Sequence, residues 1–343
     1  MTGASRGRLA ALGFLVTGTA YPLVFSGDYM VHLGVLVCVY IVLTSSLNLI
    51  VGYTGQFAVA HASFYGIGAY GAVLLATRGA LPYWAASGGA VLLAGLCAWV
   101  IGVSTLHLKG AYLAICTFAF SELFRLTLDN WSSLTNGANG IIVRVIPAVG
   151  IPSVFVWSLD SRRRFYYLFW LLAMGTVWLV ARLVASETGR VLKAIRQDEL
   201  LTLAAGFPAR RYKVFAFVLG SVLAAIAGAG YAPYISFIAP ELFDVNETVY
   251  IMMIMMIGGI RTIWGPVWGS VLLVSLPQVL EIKPFVRMIV YGVILIIIMV
   301  RLPGGLSELA GVVARFAARR RAPGGPPPSS VGVAPSRAES DDA

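Results

Sequence analysis

Acid–base, nucleophilic and metal chemistry all need polar side chains gathered at particular spacings, and this sequence has few. Its three histidines, His32, His61 and His107, are far apart, and neither an H-E-x-x-H nor a G-x-S-x-G pattern occurs. Cys38, Cys97 and Cys116 lie in apolar segments without metal-ligand spacing, which reads as small hydrophobes. Lys109, Lys193, Lys213 and Lys283 each follow a bulky residue, whereas a phosphate-binding loop needs Gly-Lys followed by Ser or Thr. No enzyme, metal site or cofactor is therefore expected, and any ATP-driven step must come from another polypeptide.

Polar groups do gather in three places. The stretch from Gly52 to Gly66 combines glycine punctuation with Gln56 and His61 in an otherwise apolar setting. Polar groups are costly in lipid and usually face a bundle interior or a water-filled path. A broken helix here would line a translocation pathway with Asn48, Gly55, Gln56 and His61, and Gly258-Gly259 would supply a second break. The same residues serve as well for helix–helix contact. Glu122 and Arg125 stand three apart in an apolar segment, so a helix turns them toward each other, as a structural or a functional pair. The third place is residues 189–207, which read as a charged helix and then a short one ended by Gly206 and Pro208. Arg196, Asp198, Glu199, Ala204, Ala205 and Gly206 are the residues of this loop that would meet a docking partner; the alternative is a solvated connection.

The elements that must hold these groups are membrane spans. The chain is 59% hydrophobic and 12% charged, about half the charged fraction of a soluble domain. No Asp, Glu, Lys or Arg occurs between Asp28 and Arg78, Arg78 and Lys109, Lys213 and Glu241, or Arg261 and Glu281. A spanning helix needs about 20 mostly apolar residues. These gaps hold several spans, and the apolar runs along the whole chain predict an all-α, polytopic bundle of about ten, near 9–26, 29–51, 56–76, 83–106, 110–128, 165–184, 213–232, 248–260, 263–280 and 285–301. The first is read as a span rather than a cleaved leader, because its apolar run reaches Phe25. The loop 182–213 holds seven basic residues, while 233–247 holds Glu241, Asp244 and Glu247 and no base. That asymmetry predicts both termini in the cytoplasm, against which only Arg162-Arg163-Arg164 stands.

The net charge of +10 is spread between apolar blocks, which argues for lipid contact and against nucleic acid. Residues 306–321 read as a basic amphipathic segment, and 322–343 as a Pro-, Gly- and Ser-rich tail unable to fold. Residues 66–75 and 265–273 echo each other, with small residues one turn apart before a bulky run, which leaves open two related halves.

Four motifs carry a resemblance. Ser46-Leu47-Asn48-Leu49-Ile50-Val51-Gly52-Tyr53-Thr54-Gly55-Gln56, Ala194-Ile195-Arg196-Gln197-Asp198-Glu199, Gly258-Gly259-Ile260-Arg261-Thr262-Ile263-Trp264-Gly265-Pro266 and Pro303-Gly304-Gly305-Leu306 occur in order. They resemble the LivM-like permeases of branched-chain amino acid ABC transporters. Ala60 departs from the Gly usual before the His, and Arg261 from a small residue. The resemblance implies a permease domain over 1–302, with an ATPase-coupling loop at 185–212 and a tail at 303–343. It also implies a second related permease, two cytoplasmic ATP-binding subunits and an extracytoplasmic binding protein, in a bacterial inner membrane. Leucine, isoleucine and valine are the expected cargo, with urea or short amides the alternative. An ion-coupled secondary transporter, the competing class, needs mid-membrane acidic or His residues, and Glu122 alone qualifies.

Overall fold

A computed structural model describes residues 14, 18–22, 27–108, 110–143, 148–149, 157–158, 161–279 and the single positions 292, 293, 296 and 306. Most of the expected first and last spans, and the tail beyond 303 apart from Leu306, lie outside the described residues.

The described chain is mainly helical. Helix α1 (Asp28–Leu47) runs without interruption into a π-helical turn, Asn48–Tyr53. After non-helical residues 55–60 come α2 (His61–Thr77), α3 (Tyr83–Thr105) and α4 (Ala111–Asn130). A loop region leads to α5 (Arg162–Ala185), the short α6 (Glu187–Gln197) and α7 (Glu199–Ala204), and the long α8 (Ala209–Ile235). Helices α9 (Val245–Gly258) and α10 (Gly265–Val279) close the described part. Strand structure is limited to two-residue antiparallel pairs, Ile141-Ile142 with Phe237-Ile238 and Ala148-Val149 with Trp157-Ser158.

Five helical stretches are long and apolar enough to cross a bilayer: Asp28–Tyr53, Tyr83–Thr105, Ala111–Asn130, Arg162–Ala185 and Ala209–Ile235. They match five of the expected spans to within a few residues. Helix α2 is shorter than expected, because residues 55–60 are irregular and only His61 onward is helical. Helix α9 stops at Gly258, as its expected shortness implied, and at about 21 Å it does not cover a 30 Å hydrocarbon core.

Small residues set the packing. A Cβ on Gly68 of α2 would lie 2.0 Å from the Ala225 carbonyl oxygen, and one on Gly228 of α8 would lie 1.9 Å from that of Tyr65. The two backbones therefore touch, as close-approaching membrane helices do. Helix α3 packs on this pair, and α1 is flanked by α5 and α10. Helices α9 and α10 form an antiparallel hairpin: Gly258 meets Gly265, Gly269 meets Ile254, and Tyr250 Oη donates to the Leu273 carbonyl at 3.2 Å. Both echoed segments thus fall in helices that follow a backbone break, α2 after 55–60 and α10 after 259–264.

The helix ends sort into two faces. At one, basic side chains of the loop 182–213 donate to the last carbonyls of arriving helices: Arg210 to Val103 at 2.6 Å, Lys193 to Val184 at 3.0 Å, and Arg196 to Val51 at 3.4 Å and to Gly52. Cations are favoured at helix C-termini, where unpaired carbonyls leave partial negative charge. At the opposite face Arg78 donates to Ser133 and to Leu134 at 3.0 Å, and Arg162 lies 3.7 Å from Asp28. The arginines at 162–164, discordant by charge alone, thus begin α5 at the end far from the basic loop.

Candidate functional site

The break between α1 and α2 is buried at Gln56 and over 58–60, with Gly55 and Phe57 exposed, so its buried backbone must find partners within the protein. It does: Thr117 Oγ1 of α4 accepts from Val59 N and Thr248 Oγ1 of α9 accepts from Ala62 N, both at 3.0 Å. His61 is buried, with Nε2 2.9 Å from Ser46 Oγ and 3.1 Å from the Leu43 carbonyl, which ties the start of α2 to α1. Gln56 is 4% exposed, and neither of its amide atoms meets a partner among the described residues. A buried, unsatisfied amide costs about 1–3 kcal/mol. Gln56 is therefore a pathway candidate whose hydrogen bonding is fully open, whereas His61 commits Nε2 to α1 and leaves Nδ1 without a partner among the described residues. Ala60, in the family's glycine position, has φ −91 and is unstrained.

Asn48 is held differently. Its Oδ1 accepts from Arg261 N at 3.1 Å and its Nδ2 donates to the Thr262 carbonyl at 2.9 Å. The side chain is 1% exposed and clamps the backbone between α9 and α10 as a second peptide would. Gly52 leaves room for it, since a Cβ there would lie 1.9 Å from Asn48 Oδ1. Gly55 has φ +76 and lies against Arg196, its missing Cβ 3.2 Å from the arginine Cγ. Gly258 and Gly259 form the bend of the α9–α10 hairpin, Gly259 with φ +118.

Arg261 follows with φ +69, a left-handed conformation that costs a side-chain-bearing residue about 1–2 kcal/mol. Its charge also lies close enough to Arg196 to hold that guanidinium's pKa down, a smaller effect there than burial. Arg261→Gly should therefore raise the stability of the chain, by about 1 kcal/mol or somewhat less once the added unfolded-state freedom of glycine is counted. A detergent thermal-shift measurement checks this; an unchanged or lower midpoint would show the conformation to be unstrained.

In the third cluster α6 and α7 form one rigid unit. Asp198 lies between them, and its side chain caps α7 by accepting from Leu200 N at 2.8 Å and Leu201 N at 3.0 Å. Glu199 anchors the unit to α8 through Lys213 at 2.6 Å, and Lys213 is itself buried. Gly206, with φ +87, ends α7: Gly206 N donates to the Leu203 carbonyl at 2.9 Å and Phe207 N to that of Thr202 at 3.2 Å. This 6→1, 5→2 pair is a Schellman cap, which favours glycine at its left-handed position. Ala204, Ala205 and Gly206 are exposed. Around them Leu200 and Leu201 are 69% and 68% exposed, with Leu203 and Phe207 also open. Together they form an exposed apolar cluster on an otherwise polar loop.

Arg125 bridges Glu122 at 2.5 Å and Asp129 at 2.6 Å along α4, the least enclosed of the five long helices. Asp129 was missed from the sequence, although its i, i+4 spacing from Arg125 makes it readable. Glu247, first assigned to an outer loop, lies in the first turn of α9 and accepts from Tyr40 Oη of α1 at 2.8 Å. Its signal was the Asp244-x-x-Glu247 spacing of a helix start, with Asp244 Oδ1 accepting from Glu247 N at 3.0 Å.

A family model described as "Branched-chain amino acid transport system / permease component" matches residues 29–299. The chain belongs to this family. As a branched-chain amino acid permease component it is 28% identical, over 88% of its length and 75% of the relative's, to the high-affinity branched-chain amino acid transport system permease protein LivM of Escherichia coli (strain K12). A probable branched-chain amino acid transport permease protein LivM of Methanocaldococcus jannaschii is 26% identical over 63% of this chain and 67% of that one. No solved structure matches significantly. These relatives are transport permease components rather than enzymes, and this permease component is a multi-pass membrane protein.

Proposed function

We propose that the chain is the membrane subunit of an ATP-driven importer that moves leucine, isoleucine or valine handed over by an extracytoplasmic binding protein. Two separate ATP-binding subunits and a second related permease complete the machine. Helix α7 is the piece that docks on an ATP-binding subunit. The observation that carries the reading is the exposed apolar face of α7, held rigidly at the basic face of the bundle by Asp198, Lys213 and the Gly206 cap. The branched-chain cargo rests on the relatives' names. The permease domain is read as 1–302, with about ten spans in the bacterial inner membrane, two related halves and both termini in the cytoplasm. Gln56 and the breaks at Gly55 and Gly258-Gly259 border the pathway.

Co-expression with neighbouring genes for an ATP-binding protein and a secreted binding protein tests this. Vesicles carrying the purified assembly should take up leucine only with ATP on the α7 side, and the chain alone should hydrolyse none. Uptake independent of ATP but driven by an ion gradient would replace the reading with a secondary transporter. A binding protein that takes urea or short amides instead of leucine would change the cargo and leave the machine.

Orientation is testable in a cysteine-free background. A cysteine at Ala205 should react only from the cytoplasm and one at Glu241 only from outside, since both positions are exposed and lie on opposite faces. Reaction of both from one side would overturn the topology.

A further inference from the structure

Two contacts described above share one short element. The π-helical turn Asn48–Tyr53 receives Arg196 of α6 on its Val51 and Gly52 carbonyls. From the same turn Asn48 holds the backbone of Arg261 and Thr262, in the bend of the α9–α10 hairpin. Arg196 and Thr262 are thus joined through residues 48–52 of one helical turn. The link is stiff on both sides. Asp198 fuses α6 to α7, and the double hydrogen bond from Asn48 fixes the bend in position and orientation. The turn itself is the irregular part, and π-helical geometry is rare and frequent at functional sites.

We propose that Arg196, the turn Asn48–Tyr53 and Asn48 form a mechanical link by which displacement of the α6–α7 unit moves the bend at 259–264. Arg196 and Asn48 are positioning residues in this link. Arg196 pulls or releases the end of α1, and Asn48 passes that movement to a hairpin far away in sequence. The direction of use, from ATP-binding subunit to membrane hairpin, rests on the docking reading of α7. The link itself does not. Coupling of this kind needs an element with two arrangements biased from both ends, and the link assigns that part to the π-turn, where the helical hydrogen bonding is already shifted.

Hydrogen exchange of the full-length chain in lipid nanodiscs tests the link without any partner. Asn48→Leu removes both bonds to the bend and should speed exchange of the segment holding Arg261 at least about tenfold. Arg196→Met keeps the volume and loses the donors, and should speed exchange of the same segment by a comparable factor although Arg196 does not bond to it. Arg196→Lys, which retains a cationic donor, should return exchange most of the way to the original rate. Exchange across α3 serves as a control, because it should stay unchanged if the variants are folded. Protection at Arg261 that Arg196→Met leaves intact would overturn the proposal, and so would loss of protection everywhere in Arg196→Met with none in Arg196→Lys.

In the reconstituted importer, both Arg196→Met and Asn48→Leu should lower the substrate carried per ATP about tenfold. The double variant should be no worse than either single, because one chain of contacts is cut once. Additive losses would mean two separate roles and overturn the link. If the original chain recruits no ATP-binding subunit, the transport reading fails while the exchange experiment still decides the link.

Discussion

Gly206→Pro is expected to cost nearly all transport and to leave the chain folded in the membrane. Proline fixes φ near −65°, whereas Gly206 stands at +87, so α7 cannot keep its present end. Proline also removes the N–H that bonds the Leu203 carbonyl, and the bond from Phe207 N to Thr202 goes with it. The expected local cost is about 3 kcal/mol. None of it falls on the bundle, because nothing lies within 4 Å of where a Cβ on Gly206 would be. Ala205→Asp acts on the same surface by another route. It leaves the helix end in place but carries a charge into an apolar contact, and an unpaired buried charge costs about 3–5 kcal/mol. Uptake in vesicles should fall at least about a hundredfold for either variant, the equivalent of roughly 3 kcal/mol in the docking step. Gly206→Ala, with a left-handed penalty of about 1–2 kcal/mol, should lie between. Normal insertion with undiminished uptake in both variants would reduce α7 to a solvated connection.

The second large effect is expected at Gly258. A Cβ there would meet the Gly265 carbonyl oxygen at 2.0 Å and the Gly269 Cα at 3.2 Å, all of it backbone that cannot swing aside. Gly258→Ala must therefore spread the α9–α10 hairpin or shift α10 against α1. Overpacking of this kind costs about 1–3 kcal/mol and more where the obstacle is backbone. The thermal midpoint in detergent should fall by several degrees, with loss of a monodisperse peak in size-exclusion chromatography. Gly88→Ala on α3 is the matched control, since nothing lies within 4 Å of its missing Cβ and alanine is the better helix former. Equal stability of the two variants would show that α9 and α10 are not in contact as described. Gly258 was read from the sequence as part of a pathway; its first task is to let two helices touch.

That difference marks how far the residues alone could be read. Charge-free gaps located α1, α3 and α8, and apolar runs broken by few charges located α4 and α5, because the bilayer sets a minimum apolar length that few other structures need. Errors fell at the ends, where Arg162 begins α5 and Ala209 begins α8 several residues before the apolar run. The end of α7 was legible from Gly206 and Pro208, because capping is local chemistry. Contacts between distant segments were not. Asn48 bonds to residues more than two hundred positions away, and Tyr40 to Glu247 likewise. Nothing local announces either partner. Helix faces were equally hidden, since a span apolar all round has no moment to tell lipid side from core side. The irregular residues 55–60 were half-visible, Gly52 and Gly55 suggesting a break but not which hydroxyls of α4 and α9 would satisfy it.

The π-helical turn also has a meaning for how this chain tolerates insertion and deletion. A π-turn holds one residue more than the α-helical turn it replaces. Deleting any single residue between Asn48 and Tyr53 would let α1 continue as a regular helix, and by local propensity alone would look harmless. The helix beyond the deletion would keep its phase, because the extra residue is taken up within one wider turn. What a deletion can remove is Gly52 itself, whose carbonyl receives Arg196 and whose missing side chain leaves the gap for Asn48. A shortened turn is therefore expected to fail through the loss of that glycine rather than through a rotation of the helix.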